Sequence, residues 1–243
     1  GISPKRRRMK RFWEQAVAVP RLEGGFGVLL DGRPLRLPSG AVLAMPQQSL
    51  AEAIAAEWQE AGGAKGGEMR MEEVPLTRVL GTAQDRVAAD PAAMIDGLTQ
   101  YAETDLLCYR AEDAPLAARQ AEAWQPLLDW VAEAFGAALR VTSGLMPVAQ
   151  PPASLAALRK ALAAQDCFAL AALGVAVPAL GSLVLGLALQ AGRLEAAEAH
   201  RLAVLDEDFQ AEFWGTDDEA MAARAARAAD IALAGRFLAL SKI

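Results

Sequence analysis

The sequence predicts an α+β protein, with a small N-terminal antiparallel β-rich domain followed by a larger all-helical domain. Three observations support this class: apolar residues alternate at period two near the N-terminus, they recur every three or four positions later, and alanine is abundant. Alanine favours helices because it loses no side-chain entropy there. We place the domains at residues 1–88, where helices follow the strands, and at residues 89–243.

The bulk composition is that of a folded protein. With 243 residues, 53% of them hydrophobic, the chain can bury a large core, and a disordered chain is excluded. The net charge of −6 argues against a general nucleic-acid binder. Cys108 and Cys167 are far apart in apolar surroundings, so we expect buried thiols in a reducing compartment and no disulfide.

A cluster of basic residues opens the chain and runs into Phe12. We expect it to form a flexible, solvated arm, for which nucleic acid, anionic lipid or an acidic protein patch are alternative partners. No apolar run follows the cluster directly, so no secretory signal is predicted. The cluster consists of Lys5, Arg6, Arg7, Arg8, Lys10 and Arg11.

Residues 15–45 have the pattern of a small antiparallel meander. Asp31 and Gly32 separate two alternating runs, as expected of a tight hairpin turn. The glycines of residues 24–27 precede a strand and not a helix, so a glycine turn explains them better than a nucleotide-binding loop. The predicted strands lie near residues 17–19, 26–30, 35–37 and 42–45.

The first predicted helix begins at a capping box formed by Ser49 and Glu52. Its apolar face includes Trp58, which we assign to the core, and the glycine-rich residues 62–67 end it as a flexible connector. Beyond the connector the chain has helical periodicity. The further helices are expected near residues 76–87, 90–101, 116–135, 153–164, 166–173 and 179–191, with Pro126 kinking or dividing the third of them.

Residues 167–192 contain no charged side chain and are long enough to span a bilayer. Gly174 and Pro178 interrupt this segment, and we expect them to end one helix and begin another. The segment therefore predicts two buried helices packed closely at glycines. A membrane-associated protein built on this segment and the basic arm is the alternative.

Residues 202–215 predict one amphipathic helix with an acidic surface. Its apolar residues recur at three- and four-residue steps, which places them on one face. A second capping box, which begins at Thr216, is expected to start the last helix, whose apolar stripe begins at Met221. The apolar face comprises Leu202, Leu205, Phe209 and Phe213, and the acidic surface comprises Asp206, Glu207, Asp208 and Glu212.

The residues that usually support catalysis are missing. One histidine, His200, and two isolated cysteines do not make a zinc site, and the nucleophile-elbow, P-loop and CxxC motifs are absent. Consecutive helical carboxylates also lack the geometry of a magnesium cage. An enzyme that uses Asp206, Glu207 or Asp208 with His200 remains the alternative, and it would require a concave pocket with converging polar groups.

Seven separated stretches, in order, resemble the ATP-twelve family of mitochondrial and alpha-proteobacterial assembly chaperones for the catalytic head of F-type ATP synthase. The resemblance covers residues 11–240 approximately. The matching stretches are residues 11–13, 30–40, 50–58, 75–85 and 106–110, then Gln120, Trp124, Pro126 and Trp130, and finally Glu207, Gln210, Glu212, Trp214 and Gly215.

The resemblance implies an ATP-independent chaperone that binds the free alpha subunit, prevents its aggregation and hands it over to the beta subunit. It implies no nucleotide hydrolysis and no cofactor. We expect a monomer that binds neither nucleic acid nor metal and does not insert into membranes. The expected location is the bacterial cytoplasm, or the mitochondrial matrix if the source is eukaryotic.

The hypothesis for the partner-binding surface rests on the acidic helix and on the family's closing motif. The same residues could instead fasten the last two helices together. Glu57 and Trp58, which belong to another family motif, are assigned mainly to packing. The predicted partner-binding residues are Glu207, Asp208, Gln210, Glu212 and Trp214.

Overall fold

The computed structural model describes residues 9–243. It contains two compact units: the chain up to Ala89 together with Arg236–Ile243, and Asp90–Gly235. Short antiparallel sheets lie in the first unit and most of the helices in the second, which confirms the predicted α+β class. The domain boundary after residue 88 stays a prediction. Four residues of the basic arm, Lys5, Arg6, Arg7 and Arg8, lie outside the described residues.

The first unit contains a three-stranded antiparallel sheet in meander order and a separate two-stranded pair. Positive φ angles at Asp31 (48°) and Gly32 (80°) form the predicted hairpin turn. The predicted strands at residues 35–37 and 42–45 are present only as isolated bridges. The sheet consists of β2 (Ala16–Pro20), β3 (Phe26–Leu30) and β4 (Arg33–Pro34), and β1 (Met9–Lys10) pairs with β5 (Glu68–Met69).

Helix α1 (Gln48–Glu60) packs on β2 and β3 with the predicted apolar face buried. The predicted capping box is wrong, because the helix begins one residue before Ser49 and thereby places Ser49 inside the first turn. The N-cap residue, Gln47, makes no side-chain capping bond. Its side-chain Nε2 donates instead to the backbone carbonyl oxygen of Ser241 at 3.0 Å, within the same unit.

Arg11 is buried and is therefore not part of a solvated arm. Its guanidinium donates to the carbonyl oxygens of Gln59 (2.7 Å) and Ala61 (3.2 Å) at the end of α1, and also to that of Trp13 (2.9 Å). The last carbonyls of a helix lack partners within the helix, and the several donors of one guanidinium can satisfy them. Arg11 is thus a structural residue.

Glu57 and Trp58 connect α1 to α2 (Pro75–Gly81), which continues as a π-helical segment, Thr82–Val87. Trp58 is buried, as predicted, and its Nε1 donates to Oγ1 of Thr77 at 2.8 Å. The Glu57 carboxylate accepts from the first backbone amides of α2, at Leu76 (2.7 Å) and Thr77 (3.3 Å). Burial raises the pKa of Glu57, although these bonds oppose the rise.

The second unit consists mainly of helices, with one short parallel strand pair that the all-helical prediction did not include. Pro126 lies inside a single 22-residue helix, α4, so the helix is not divided there. A kink at Pro126 stays a prediction. The elements are α3 (Pro91–Glu103), β6 (Tyr109–Arg110), α4 (Ala114–Phe135), β7 (Thr142–Ser143), α5 (Pro152–Ala163), α6 (Cys167–Leu180), α7 (Leu183–Gln190), α8 (Ala196–Ala203), α9 (Leu205–Trp214) and most of α10 (Asp218–Leu240).

Helices α6 and α7 are largely buried, as predicted for the uncharged segment. The break between them lies at Gly181, where φ is 68°, and not between Gly174 and Pro178. Gly174 instead permits close packing, since a Cβ there would lie 2.7 Å from the end of the Met94 side chain. Among residues 9–243 no helix is both long enough and apolar enough to cross a membrane.

Asp105 is completely buried beside the start of α7. Its carboxylate accepts from Oγ of Ser182 (2.7 Å) and from the backbone amides of Leu107 and Val184, both at 3.1 Å. Burial raises the pKa of Asp105 from 3.8 to about 6 despite these bonds. Cys108 is also buried, and desolvation raises its pKa to about 12. Cys167 is a half-buried free thiol.

The acidic segment is not one helix but two, because Val204 leaves helical geometry between α8 and α9. Leu202 and Phe209 are buried, whereas Phe213 is exposed, so the predicted apolar face is interrupted. The cap of α10 also differs from the prediction. The Asp217 carboxylate, and not Thr216, accepts from a first-turn amide of α10, that of Ala220, at 2.7 Å.

Candidate functional site

The five predicted partner-binding residues all lie on α9, within ten consecutive positions. Four of them are exposed: Glu207, Gln210, Glu212 and Trp214. Asp208 is half-buried. The structure therefore brings these side chains to one short element. We call them the α9 surface: Glu207, Asp208, Gln210, Glu212 and Trp214.

Two carboxylates of the α9 surface form ion pairs with α10. Glu207 accepts from Arg227 through both oxygens, at 2.7 and 2.8 Å, and Asp208 pairs with Arg224. Exposed or partly exposed pairs of this kind typically contribute about 0–1 kcal/mol each. Glu207 and Asp208 therefore attach α9 to α10, as one of the two sequence-based interpretations proposed.

The opposite side of α9 is attached to α4. The two terminal guanidinium nitrogens of Arg119 donate to the carboxylate of Glu212, at 2.8 and 3.3 Å. The guanidinium carbon of Arg119 lies 5.0 Å from the ring centroid of Phe209. The hydrogen bond from Arg119 is the main cause of the lowered pKa of Glu212. Gln120 donates to Asp206 at 2.6 Å. Helix α9 is thus held from two sides.

The C-terminal end of α9 presents large apolar side chains to solvent. Trp214 is 83% exposed, Phe213 is 67% exposed, and Met221 near the start of α10 is 55% exposed. Gly215, with a φ of 71°, ends the helix between them. Neighbouring exposed apolar side chains of this size are typical of protein interaction sites.

A cleft of about 620 Å³ lies between α9 and the first half of α10. Trp214 and Met221 contribute its large apolar side chains, and alanines supply most of the rest of its apolar lining. The lining residues are His200, Asp206, Glu207, Gln210, Ala211, Trp214, Gly215, Thr216, Asp217, Ala220, Met221, Arg224, Ala225 and Ala228.

His200 lines this cleft beside the carboxylates of α9. Nε2 of His200 is buried and has no hydrogen-bond partner, so this atom does not bond to Asp206, Glu207 or Asp208. Burial and the nearby charges of Arg224 and Arg227 lower the pKa of His200. Across the described part of the chain, no group of three or more His, Cys, Asp or Glu residues is placed to hold a metal.

Sequence reasoning missed two members of the exposed apolar group. Periodicity assigned Phe213 to the buried face of the acidic helix and Met221 to that of the last helix, but both are exposed. No local pattern distinguishes these positions from buried ones. Their exposure depends on which other elements cover the ends of α9 and α10.

The chain is similar to known chaperones in sequence. A family model described as "ATP12 chaperone protein" matches residues 10–132. The mitochondrial protein atp12 of Schizosaccharomyces pombe is 26% identical over 223 residues, which cover 87% of this chain and 75% of that protein. The α9 surface lies beyond the residues that the family model matches.

Solved structures extend the similarity over nearly the whole chain. The crystal structure of Atp12 from Paracoccus denitrificans is 44% identical, covers 96% of this chain and 98% of its own, and superposes with a TM-score of 0.89. A variant of the same protein with one aspartate replaced by lysine gives 43% identity and the same coverage and TM-score.

These names describe chaperones, so the protein is not an enzyme, and the alternative based on His200 and the acidic cluster is wrong. The predicted resemblance to the ATP-twelve family is confirmed. Because the family model matches more than half of the sequence, the chain belongs to the ATP12 family, the chaperones of ATP synthase assembly.

Proposed function

We propose that this protein binds the free alpha subunit of F-type ATP synthase without using ATP, prevents its aggregation and hands it over to the beta subunit. A free subunit of a ring exposes the face that later meets its neighbour, and such faces aggregate. A chaperone of moderate affinity masks that face until a subunit with more complementary contacts replaces it. Family membership and the closing motif of the sequence support this proposal.

The α9 surface is our candidate for the contact with the alpha subunit. The observation that carries this choice is the exposure of Trp214, 83%, at the end of a helix that is held from two sides. Tryptophan is among the residues that contribute most to protein interfaces. A helix already fixed in place also has less conformational freedom to lose on binding.

The residues of the α9 surface have different roles in this proposal. Trp214 and Gln210 are available for direct contact, because their side chains are exposed. Glu207, Asp208 and Glu212 already pair with arginines of this chain. Paired carboxylates at a surface still contribute to the local field, so we assign them to steering the encounter and to orienting the helix.

The test is co-expression of the alpha subunit alone with this chain, scoring soluble alpha subunit and its co-purification. We expect Trp214→Ser to reduce co-purification by about tenfold, as for an aromatic residue central to an interface. Leu145→Ser is the matched control, because Leu145 is another large apolar side chain exposed in the same unit but lies outside α9. An aggregating subunit of another complex controls for general solubilisation. Equal co-purification with both variants would show that the contact with the alpha subunit does not depend on Trp214 of α9.

We further propose that the protein acts as a monomer in the compartment where ATP synthase is assembled. This is the cytoplasm if the source is bacterial and the mitochondrial matrix if it is eukaryotic; similar chains are known from both kinds of organism. Light scattering coupled to size-exclusion chromatography measures the first point. A mass twice that of the 25.6 kDa chain would contradict it.

A further inference from the structure

We infer that the cleft between α9 and α10 binds one type of occupant: a partner segment with apolar side chains flanked by lysine or arginine. This inference rests on the proposed function, because the alpha subunit would supply the segment. It goes further by naming the chemistry that the cleft recognises. The cleft has an apolar lining, carboxylates at its edge and arginines that are already paired.

The cleft is wide enough for several side chains. Its volume of about 620 Å³ falls within the range of roughly 300–1,000 Å³ typical of binding pockets. Ala225 and Ala228 of α10 keep it open, since no large side chain projects from those positions. Trp214 and Met221 border it and remain exposed. An apolar side chain placed between them would bury apolar surface that solvent now covers.

The charges around the cleft favour a basic occupant. Asp206, Glu207 and Asp217 line it, and of these Asp206 and Asp217 form no ion pair with another residue of the range 9–243. Arg224 is the single arginine in the lining. Arg224 is paired with Asp208, and the nearby Arg227 is paired with Glu207, so neither is free for an acidic ligand. The edge of the cleft therefore has excess negative charge.

Two more carboxylates increase this excess. Asp218 and Glu219 follow Asp217 at the start of α10 and are exposed, and neither forms an ion pair with another residue of the range 9–243. Negative side chains near a helix N-terminus are stabilised by the helix dipole. Lysine or arginine beside an apolar anchor would complement both the lining and its edge.

The experiment uses a synthetic peptide of about 16 residues with leucine at helical i, i+3, i+4 and i+7 positions and lysine at most others. A second peptide has glutamate in place of lysine, and a third has alanine in place of leucine. Fluorescence anisotropy with labelled peptides measures binding to the full chain. We expect binding of the leucine–lysine peptide to be at least about tenfold tighter than binding of either of the others, and to weaken with added salt.

Two neighbouring alanines of α10 provide matched variants. Ala225 lines the cleft and Ala226 does not, and both are exposed. Ala225→Phe should fill the cleft and weaken peptide binding by at least about tenfold, whereas Ala226→Phe should change it by less than about twofold. Equal effects of the two variants, or equal binding of the glutamate peptide, would overturn the inference.

A second measurement does not depend on how Ala225→Phe folds. Peptide binding to the wild-type chain should shift the tryptophan emission to shorter wavelength, and the shift should be absent in Trp214→Phe. An unchanged shift in Trp214→Phe would place the peptide elsewhere and refute the cleft as its site. A dimer of the wild-type chain that Ala225→Phe dissociates would show that a second copy occupies the cleft, and would equally refute the inference.

Co-purification of the alpha subunit separates this inference from the proposed function. If the wild-type chain retains alpha subunit but no leucine–lysine peptide binds, the cleft inference is wrong and the proposed function stands. If the peptide binds in the cleft but alpha subunit does not co-purify, the cleft chemistry is supported and the proposed partner is wrong.

Discussion

Trp124 and Trp214 lie in the same compact unit but in opposite environments. Trp124 is completely buried, and its Nε1 donates to the carbonyl oxygen of Leu202 at 2.9 Å. Trp214 is mostly exposed at the end of α9. Both belong to stretches that resemble the family, so a shared motif does not distinguish a residue that supports the fold from one available to a partner.

The comparison predicts that changes around Trp124 act through folding, whereas changes at the end of α9 act through binding. Trp124 lies on α4, which packs against the buried helix α7 in the same unit. Four predictions test this division, from the largest expected effect on stability to the smallest.

Replacing each tryptophan with alanine should have opposite consequences. Trp124→Ala should lower the free energy of unfolding by about 3–5 kcal/mol, because it leaves a cavity and an unpaired carbonyl. Trp214→Ala should change it by less than about 0.5 kcal/mol, as is usual for exposed positions. Chemical denaturation measures both. Comparable losses in the two variants would show that Trp214 also supports the fold.

Asp105→Asn should remove one contribution to the pH dependence of the free energy of unfolding. The raised pKa of Asp105, about 6 compared with 3.8, means that the folded state prefers the protonated acid. The resulting stabilisation is fully present below pH 3.8, and is lost as the pH rises through 6. The shift corresponds to a change on the order of 3 kcal/mol.

The measurement is the unfolding midpoint of wild type and Asp105→Asn at pH values across this interval. The wild type should lose stability relative to the variant as the pH increases, and the difference should be constant above both pKa values. Other titrating groups, such as Glu57, are common to both proteins and cancel in the difference. Parallel profiles would contradict the assignment.

Gly186→Val should destabilise the packing of α7 on α6. A Cβ at Gly186 would lie 2.5 Å from Cγ2 of Val177, a branched side chain that rotates little. Overpacking of this kind costs about 1–3 kcal/mol. Gly97→Val is the control, because Gly97 is also inside a helix but is exposed, and nothing lies within 4 Å of a Cβ there. Thermal unfolding measures both variants, and equal unfolding midpoints would argue against close packing at Gly186.

Exchanging the charges of one surface pair should have the smallest effect on stability. Glu207→Lys places two positive charges together, and its cost should be below about 1 kcal/mol. The double variant Glu207→Arg with Arg227→Glu restores an ion pair in reverse. If the pair only fastens α9 to α10, the double variant should regain both stability and retention of the alpha subunit.

The partner-binding role predicts a different result for the double variant. Its unfolding midpoint should recover, but retention of the alpha subunit per folded molecule should stay reduced, because the carboxylate has moved from α9 to α10. Loss of stability in Glu207→Lys with unchanged retention would contradict the role of Glu207 in binding. The α9 surface would then no longer include Glu207.

The sequence by itself determined the α+β class, the apolar face of α1, the buried uncharged segment and the family. Each rests on a local or repeated signal. The period of apolar residues reports which face of an element is apolar, and the order of the motifs identifies relatives. The hairpin turn at Asp31 and Gly32 was also predictable, because few residues adopt positive φ angles.

Only the tertiary structure decided which predicted faces are covered. Periodicity gave Phe209 and Phe213 the same face, yet α4 covers the first through Arg119 and leaves the second exposed. Likewise, the sequence assigned Arg11 to a solvated arm, but Arg11 is buried because its guanidinium donates to carbonyl oxygens at the end of α1. Burial depends on contacts between segments far apart in the chain, and local pattern contains no information about them.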